Sequence, residues 1–366
     1  MSSNVRKIAI LFHANLDDRK GMTNAALNRF KFLLGHLPYN FKATALCTTY
    51  FDSKILKLLR GRSRNTEFIS VRKIDDLDIN ILYRKFTLID YLLKFKFKSK
   101  PIFLNSQIPQ ISKTLCQYDL ISAHSFLTGE LALDAYERYN VPYCITWHGS
   151  DIHTMPFENA CIRNKIKQII ENAEVNFFVS DALKEKSNDI TSLGRKVVLY
   201  NGYSKNFIKY DDFKRNSLRE KYCRKPEARI IAFVGNLISV KNAELLPEIF
   251  KNIKSRYSKP VEFWIIGDGP LRSAIEDDLT ELGMNEGVRI FGNVAHQQMP
   301  DLMNCVDLLV LPSKNEGLPL VTVEAIQSGA MVIGSDVGGI SEAIGTENVV
   351  PIGENFVNHF AERCVS

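Results

Sequence analysis

Short runs of apolar, β-branched residues alternate along the whole chain with stretches whose apolar positions recur every three or four residues. That alternation predicts βαβ units and mostly parallel sheets. KIAILFHA (7–14) predicts the first strand. TNAALNRFKFLLGHL (23–37) predicts a helix that opens after Gly21, with Thr23 and Asn24 as candidate caps. Further strands are expected at KATALCTT, DLISAH, PYCITWHG and EVNFFVS. In the second half they are expected at RIIAFVG (229–235), EFWIIGDG (262–269), VRIFGNV (288–294), DLLVLPS (307–313) and MVIGSDVG (331–338). Each of the last four ends in or near Gly, Asp or Ser. Ligands of open α/β sheets bind beyond the carboxyl ends of the strands, so these residues point at a common ligand site.

The rhythm breaks once. After VVLYNG comes a polar, charged stretch before the strand at 229, which divides the chain into an N-terminal unit (1–204), a linker (205–228) and a C-terminal unit (229–366). A length of 366 residues accommodates two domains, each with its own core. Hydrophobic residues at 45% and charged residues at 24% exclude a disordered or fibrous class.

The net charge of +6 is unevenly spread. Residues 1–200 hold 29 Lys and Arg against 19 Asp and Glu, a net of +10, and the remainder holds 18 against 22, a net of −4. Basic and apolar residues interleave in KILKLLRGRSR (54–64) and LLKFKFKSKP (92–101). Two readings stand, contact with an anionic membrane surface and a solvated basic face. No nucleic-acid-binding motif accompanies the charge, so nucleic acid is not an expected partner. The seven cysteines are scattered without a C-x-x-C pair, which favours reduced thiols over zinc. The first apolar run is too short for a signal sequence, and no stretch approaches 18 apolar residues. A cytoplasmic location is expected, with peripheral attachment to the inner membrane face as an option.

The segment richest in chemistry is SKNEGLPLVTVEAIQSGAMVIGSDVGG. It puts Glu316 in a loop after a strand and Glu324 inside the following helix, with Gly317 to Leu320 forming the turn between them. Free N–H groups at the start of that helix suit an anionic phosphate. Glu316 then lies where a sugar attached to that phosphate would sit, and the Glu324 carboxylate suits the two hydroxyls of a ribose.

PSKNEGLPLVTVEA followed by SDVGGISEAI resembles the donor-binding signature of glycosyltransferase family 4. Other segments match in family order: the Gly21 loop, WHGSD (147–151), YNGYSKNF (200–207), FVGNLISVKN (233–242), GDGPLR (267–272) and VRIFGNV (288–294). The resemblance implies the GT-B fold, two Rossmann-like domains with parallel sheets facing a central cleft. It implies a retaining transferase that moves a sugar from a nucleotide diphosphate sugar, UDP being the first expectation, to a polysaccharide, lipopolysaccharide or lipid-linked acceptor. Through it, Glu316 is assigned to the donor sugar, Glu324 to the ribose, and Leu318, Pro319, Leu320 and Val321 with Gly317 to the diphosphate. Lys241 is assigned to charge on the leaving group, His148 to the reacting centre, and Gly21, Gly235 and Asn236 to donor-side loops. Asp151 and His124 are candidates on the acceptor side. Asp151 could equally cap a helix, and His124 could equally be structural.

Fixed positive groups and helix N-termini can stabilise a departing diphosphate, so neither metal nor cofactor is expected. The lone D-x-D, Asp76-Leu77-Asp78, lies in a polar stretch and is not expected to bind metal. Three departures from the family pattern stand out. Asn236 replaces an arginine, Met22 follows Gly21 where a second glycine is expected, and only VNHFAERCVS follows VVPIGENF, too little for the helices that return to the first domain. They motivate a second reading, a weakly active or inactive binding partner on the same fold.

Overall fold

The computed structural model describes residues 7–13, 21–37, 40–50, 71–74, 77–92, 106–202 and 204–366. The basic runs at 54–64 and, apart from Leu92, at 92–101 lie outside them, as do Asp76 and the stretch 14–20 before Gly21. The chain divides into two compact units. Met1–Val179 with Leu183–Leu199 forms the first, and Ser180–Ala182 with Tyr200–Ser366 the second.

The N-terminal unit is built on strands β1 (Lys7–His13), β2 (Asn40–Tyr50), β3 (Val71–Ile74), β4 (Leu77–Phe86), β5 (Leu120–His124), β6 (Tyr143–Trp147), β7 (Val175–Phe178) and β8 (Lys196–Val198). They form one sheet in the order β3-β4-β2-β1-β5-β6-β7-β8. All neighbours are parallel except β3 and β4, whose antiparallel register sets Lys73 opposite Asp78 and Ile74 opposite Leu77. This hairpin has no counterpart in the strands expected from the sequence. Leu77 and Asp78 of the D-x-D begin a strand instead of lying in a loop, and no cluster of metal-ligating residues occurs among the described residues.

Among the described residues, three helices of eight residues or more belong to this unit: α1 (Gly21–His36), α2 (Phe126–Tyr139) and α3 (Ala160–Asn172). Buried Ala26, Leu27 and Phe30 on α1 cover Ile8, Ile10 and Phe12 of β1. Helix α2 stops at Asn140, which adopts a left-handed conformation (φ 58°) and returns its N–H to Ala135 and Tyr136.

The C-terminal unit contains β9 (Arg229–Val234), β10 (Val261–Ile266), β11 (Val288–Gly292), β12 (Leu308–Leu311), β13 (Met331–Ser335) and β14 (Val349–Val350), all parallel, in the order β11-β10-β9-β12-β13-β14. Its longer helices are α4 (Asp212–Tyr222), α5 (Leu246–Arg256), α6 (Arg272–Glu281), α7 (Leu320–Gln327) and α8 (Phe356–Val365). Alternation along the strands separates two cores. Ile231, Phe233, Phe263, Ile265, Leu308 and Val310 point to one face, with α5 and α8. Ile230, Ala232, Trp264, Ile266, Leu309 and Leu311 point to the other. A sheet covered on both faces needs strands that are apolar throughout, hence the uninterrupted runs in the sequence. The last ten residues expected to be left over form α8, which buries Phe356, Phe360, Ala361 and Cys364 against this same unit.

The stretch expected as a linker contains α4, capped by Asp211, whose Oδ1 accepts the N–H of Lys214 at 2.8 Å. Asp307 fastens this helix to the sheet. Its carboxylate accepts from Arg215 at 2.5 Å, from Arg219 at 3.1 Å and from the Ile230 N–H at 2.8 Å. Arg219 is buried and also donates to the carbonyls of Pro226, Ala228 and Cys305. Removing one member of such a set strands the others without a counter-charge. Asp307→Ala should therefore lower the unfolding free energy by about 3 kcal/mol. A denaturant melt would show it, and an unchanged midpoint would mean that the cluster does not hold α4 in place.

Candidate active site

In each sheet the chain turns from one side to the other at a single point. In the C-terminal unit that point lies between β9 and β12, and in the N-terminal unit between β1 and β5. Ligand crevices of open α/β sheets form at the carboxyl ends of the strands at this reversal. The residues picked out by sequence gather there in both units, and each unit can be built up separately.

In the C-terminal unit, β9 runs into Gly235 and Asn236, and a short turn follows at Ser239–Lys241. Asn242, left-handed at φ 50°, closes that turn and donates to the Pro312 carbonyl at 2.7 Å. The loop after β12 is thereby tied to the loop after β9. A second tie is the N–H of Lys314 to the Val240 carbonyl, 2.9 Å. Between these ties Lys241 Nζ meets Glu316 Oε1 at 2.5 Å, and the Ser313 hydroxyl donates to the same oxygen at 2.8 Å. Glu316 is 9% exposed, so its carboxylate is fixed in direction.

The Glu316 turn rests on the two glycines of SDVGG. Gly338 has φ +53°, and a Cβ there would come within 1.9 Å of the Glu316 carbonyl. The Gly339 N–H donates to the Gly317 carbonyl at 3.0 Å. These glycines are needed because backbone lies against backbone. The same device recurs at Gly267 (φ +140°), where a Cβ would come within 1.9 Å of the Gly235 carbonyl.

Pro319 occupies the N-cap of α7 with no side-chain cap, and the first turn of the helix holds no acidic residue. Having no N–H itself, it contributes shape, not a hydrogen bond, to any bound anion. The N–H groups of Leu318, Leu320 and Val321 have no acceptor among the described residues. They offer a donor set for an anion at a positive helix end. Glu324, one turn further on, is 9% exposed, and its carboxylate has no hydrogen-bonding partner among the described residues. Burial alone pushes its carboxyl up to about 7. Asn201 was not singled out by sequence. Its Nδ2 donates to the Leu318 carbonyl at 3.4 Å from the YNGYSKNF segment, and its buried Oδ1 has no partner.

In the N-terminal unit, His148 follows directly on β6 and His124 ends β5. Their rings stack with centroids 5.3 Å apart, and His124 Nδ1 lies 3.1 Å from His148 Nε2. Burial, followed by the nearby Arg29 guanidinium, pushes His148 down to about 3. The same two causes, with His148 third, push His124 well below the ordinary histidine range. Both rings are therefore neutral at physiological pH. His124 is fully buried and is no lone structural histidine, since the pairing makes it part of the His148 site.

Asp151 sits in the short helix Ser150–His153, where its Oδ1 accepts the Gly149 N–H at 3.0 Å. Burial raises its carboxyl to about 6, opposed by the backbone N–H groups of Gly149, Asp151, His148 and Phe126. It therefore braces the turn that carries His148, including Gly149 at φ 150°. Gly21 is the first residue of α1, and the loop before it is outside the described residues.

Comparison with known proteins fits this geometry. Residues 228–366 match the family model described as Glycosyl transferases group 1. Among curated relatives, the putative teichuronic acid biosynthesis glycosyltransferase TuaC of Bacillus subtilis is 29% identical over 228 residues, 62% of this chain and 55% of the relative. A D-inositol 3-phosphate glycosyltransferase of Corynebacterium urealyticum is 26% identical over 253 residues, 62% of this chain and 57% of the relative. The matches thus span little more than half the length of these two relatives. Among solved structures, Anabaena HepE in complex with UDP and glucose aligns at a TM-score of 0.71 and 18% identity, covering 98% of this chain and 90% of the other. Residues 228–366 are accordingly similar to the group 1 glycosyl transferases, and the chain has the GT-B fold, with a Rossmann-like unit in each half.

Proposed function

We propose that the chain transfers a sugar, with retention of configuration, from a nucleotide diphosphate sugar to a glycan or lipid-linked acceptor, with UDP as the nucleotide. The observation that carries this reading is the Lys241–Glu316 pair at the β9–β12 reversal, beside the unpaired amides of α7. In this reading the diphosphate lies on the N–H groups of Leu318, Leu320 and Val321, and Lys241 neutralises charge that builds on it as the glycosyl bond breaks. Glu316, released from full engagement with Lys241, accepts hydroxyls of the donor sugar, while Glu324 takes the two ribose hydroxyls that end its isolation. Asn236, with no charge, leaves Lys241 as the main cation on this side. Amides and ammonium together supply the counter-charge that a metal supplies elsewhere, so transfer needs none.

One relative's name supports a cell-surface glycan as the acceptor. TuaC is named for teichuronic acid biosynthesis. The interleaved basic and apolar residues at 54–64 and 92–101 suit an acceptor met at an anionic membrane surface. Failure to sediment with anionic vesicles at low salt would remove that part of the reading.

Glu316→Ala and Lys241→Ala should each lower sugar transfer by about a hundredfold, the scale on which a single stabilising group acts at a transition state. Assays with UDP-sugar donors would measure it, and transfer at wild-type rate in both variants would refute the assignment. Glu324 gives a pH signature. A carboxyl raised to about 7 must lose its proton to accept both ribose hydroxyls. UDP affinity should therefore rise from pH 6 to pH 8, and Glu324→Gln should flatten the rise. The linkage has the opposite sign for the unliganded protein. Because the folded state holds this proton more tightly than the unfolded chain, stability from this group is lost as pH rises toward 7. Melting curves of wild type and Glu324→Gln should diverge in that direction, and parallel curves would contradict a buried, unpaired Glu324.

A further inference from the structure

Arg29 is a half-buried cation with no counter-charge among the described residues. It lies on α1 and reaches the end of β6, where Nη1 donates to the Thr146 hydroxyl at 2.6 Å. No carboxylate pairs with it among the described residues. Burial pushes its guanidinium below the usual range, opposed by the Cys144 thiol. Arg84, which is buried outright in this unit, differs in having Glu130 and Asp90 beside it. A guanidinium has five N–H donors in a rigid fork, so one neutral hydroxyl leaves most of it unused.

A second group beside Arg29 also lacks a partner. His124 is fully buried and its Nε2 makes no hydrogen bond. Thr146 pairs with His124 across the β5–β6 ladder, and His148 follows two residues after Thr146, so hydroxyl, imidazoles and guanidinium converge at one strand end. If His124 Nδ1 accepts the proton of His148 Nε2, its own Nε2 becomes an N–H donor with nothing to donate to. The strand end is also the carboxyl end next to the β1–β5 reversal, where this unit's ligand crevice is expected. Buried polar groups are normally partnered. A buried imidazole nitrogen without a partner, beside a half-buried guanidinium held by one neutral hydroxyl, suits a missing anion.

We propose that Arg29, with the His124 and His148 imidazoles, forms an anion subsite in the N-terminal unit that binds a carboxylate or phosphate group of the acceptor. The proposal rests on the transferase reading above, and it makes that reading more specific: the acceptor carries a negative charge. Arg29 would bind the anion through its fork, and the bound charge would draw the His124 N–H toward it. The Thr146 hydroxyl holds the guanidinium in place while the ligand is absent.

The test uses the whole chain with saturating UDP, which keeps the diphosphate site of the C-terminal unit filled. Inorganic phosphate and malonate are titrated separately by calorimetry, and the histidine side chains are followed by ¹⁵N NMR. At least one anion should bind saturably and shift the His124 and His148 resonances, and whichever binds more tightly identifies the acceptor group as phosphoryl or carboxylate. Arg29→Gln should weaken that anion by at least about tenfold, the loss expected for a charge-assisted hydrogen bond, and Arg29→Lys should retain most of the affinity. Unshifted His124 and His148 resonances with both anions in the wild-type protein would overturn the proposal, whatever the folding of the variants. So would an Arg29→Gln protein that folds and binds the anion as tightly as wild type. A chain that shifts its histidines with the anion but fails to bind UDP would instead count against the transferase reading.

Discussion

The strand order β11-β10-β9-β12-β13-β14 obliges the chain to leave β9 toward one side of the sheet and β12 toward the other. The loops after these two strands then have nothing between them, and the side chains they carry become neighbours although 75 residues separate Lys241 from Glu316. Everything else about the donor site depends on this reversal. Asn242 and Lys314 tie the two loops together, Gly338 and Gly339 back the Glu316 turn, and α7 starts immediately beyond it with its first amides unpaired. The same topology in the N-terminal unit places His124 at the end of β5, beside the His148 turn that Asp151 braces.

A common energetic pattern marks both units. Each holds a group that is costly to leave alone: Glu324, raised to about 7 by burial in one, and the half-buried Arg29, without a carboxylate among the described residues, in the other. Structural ion clusters in the same molecule look different. Asp307 accepts from two arginines and a backbone N–H, so its carboxylate is fully engaged within the protein. Saturation distinguishes a fastening from a binding site, because a fully bonded group gains nothing from a ligand, whereas a stranded one gains its missing partner.

Much of this was legible in sequence. Apolar β-branched runs ending in Gly, Asp or Ser located the parallel strands around both reversals, since strands covered on two faces must be apolar throughout. The Glu316-to-Glu324 segment was legible because it is local, with loop, turn and helix lying in one stretch of chain. The β3–β4 hairpin was not, as β3 is only four residues long, polar and at the sheet edge, and β4 mixes apolar Ile79 and Ile81 with polar and charged residues. Helix α4 was read as linker because its charged residues face partners far along the chain, Asp307 among them. Arg29, Asn201 and Ser313 escaped for the same reason or for lack of a distinctive neighbour. An arginine on an amphipathic helix looks like any solvated cation until the fold denies it a carboxylate.

The central claim is that the β9–β12 reversal holds the nucleotide diphosphate. A crystal structure of the chain soaked with UDP tests it most directly. The account predicts the diphosphate within hydrogen-bonding distance of the Leu320 and Val321 amides and of Lys241 Nζ, with the ribose hydroxyls on Glu324. A nucleotide bound with Glu324 still unpartnered, or bound outside the C-terminal unit, would contradict it.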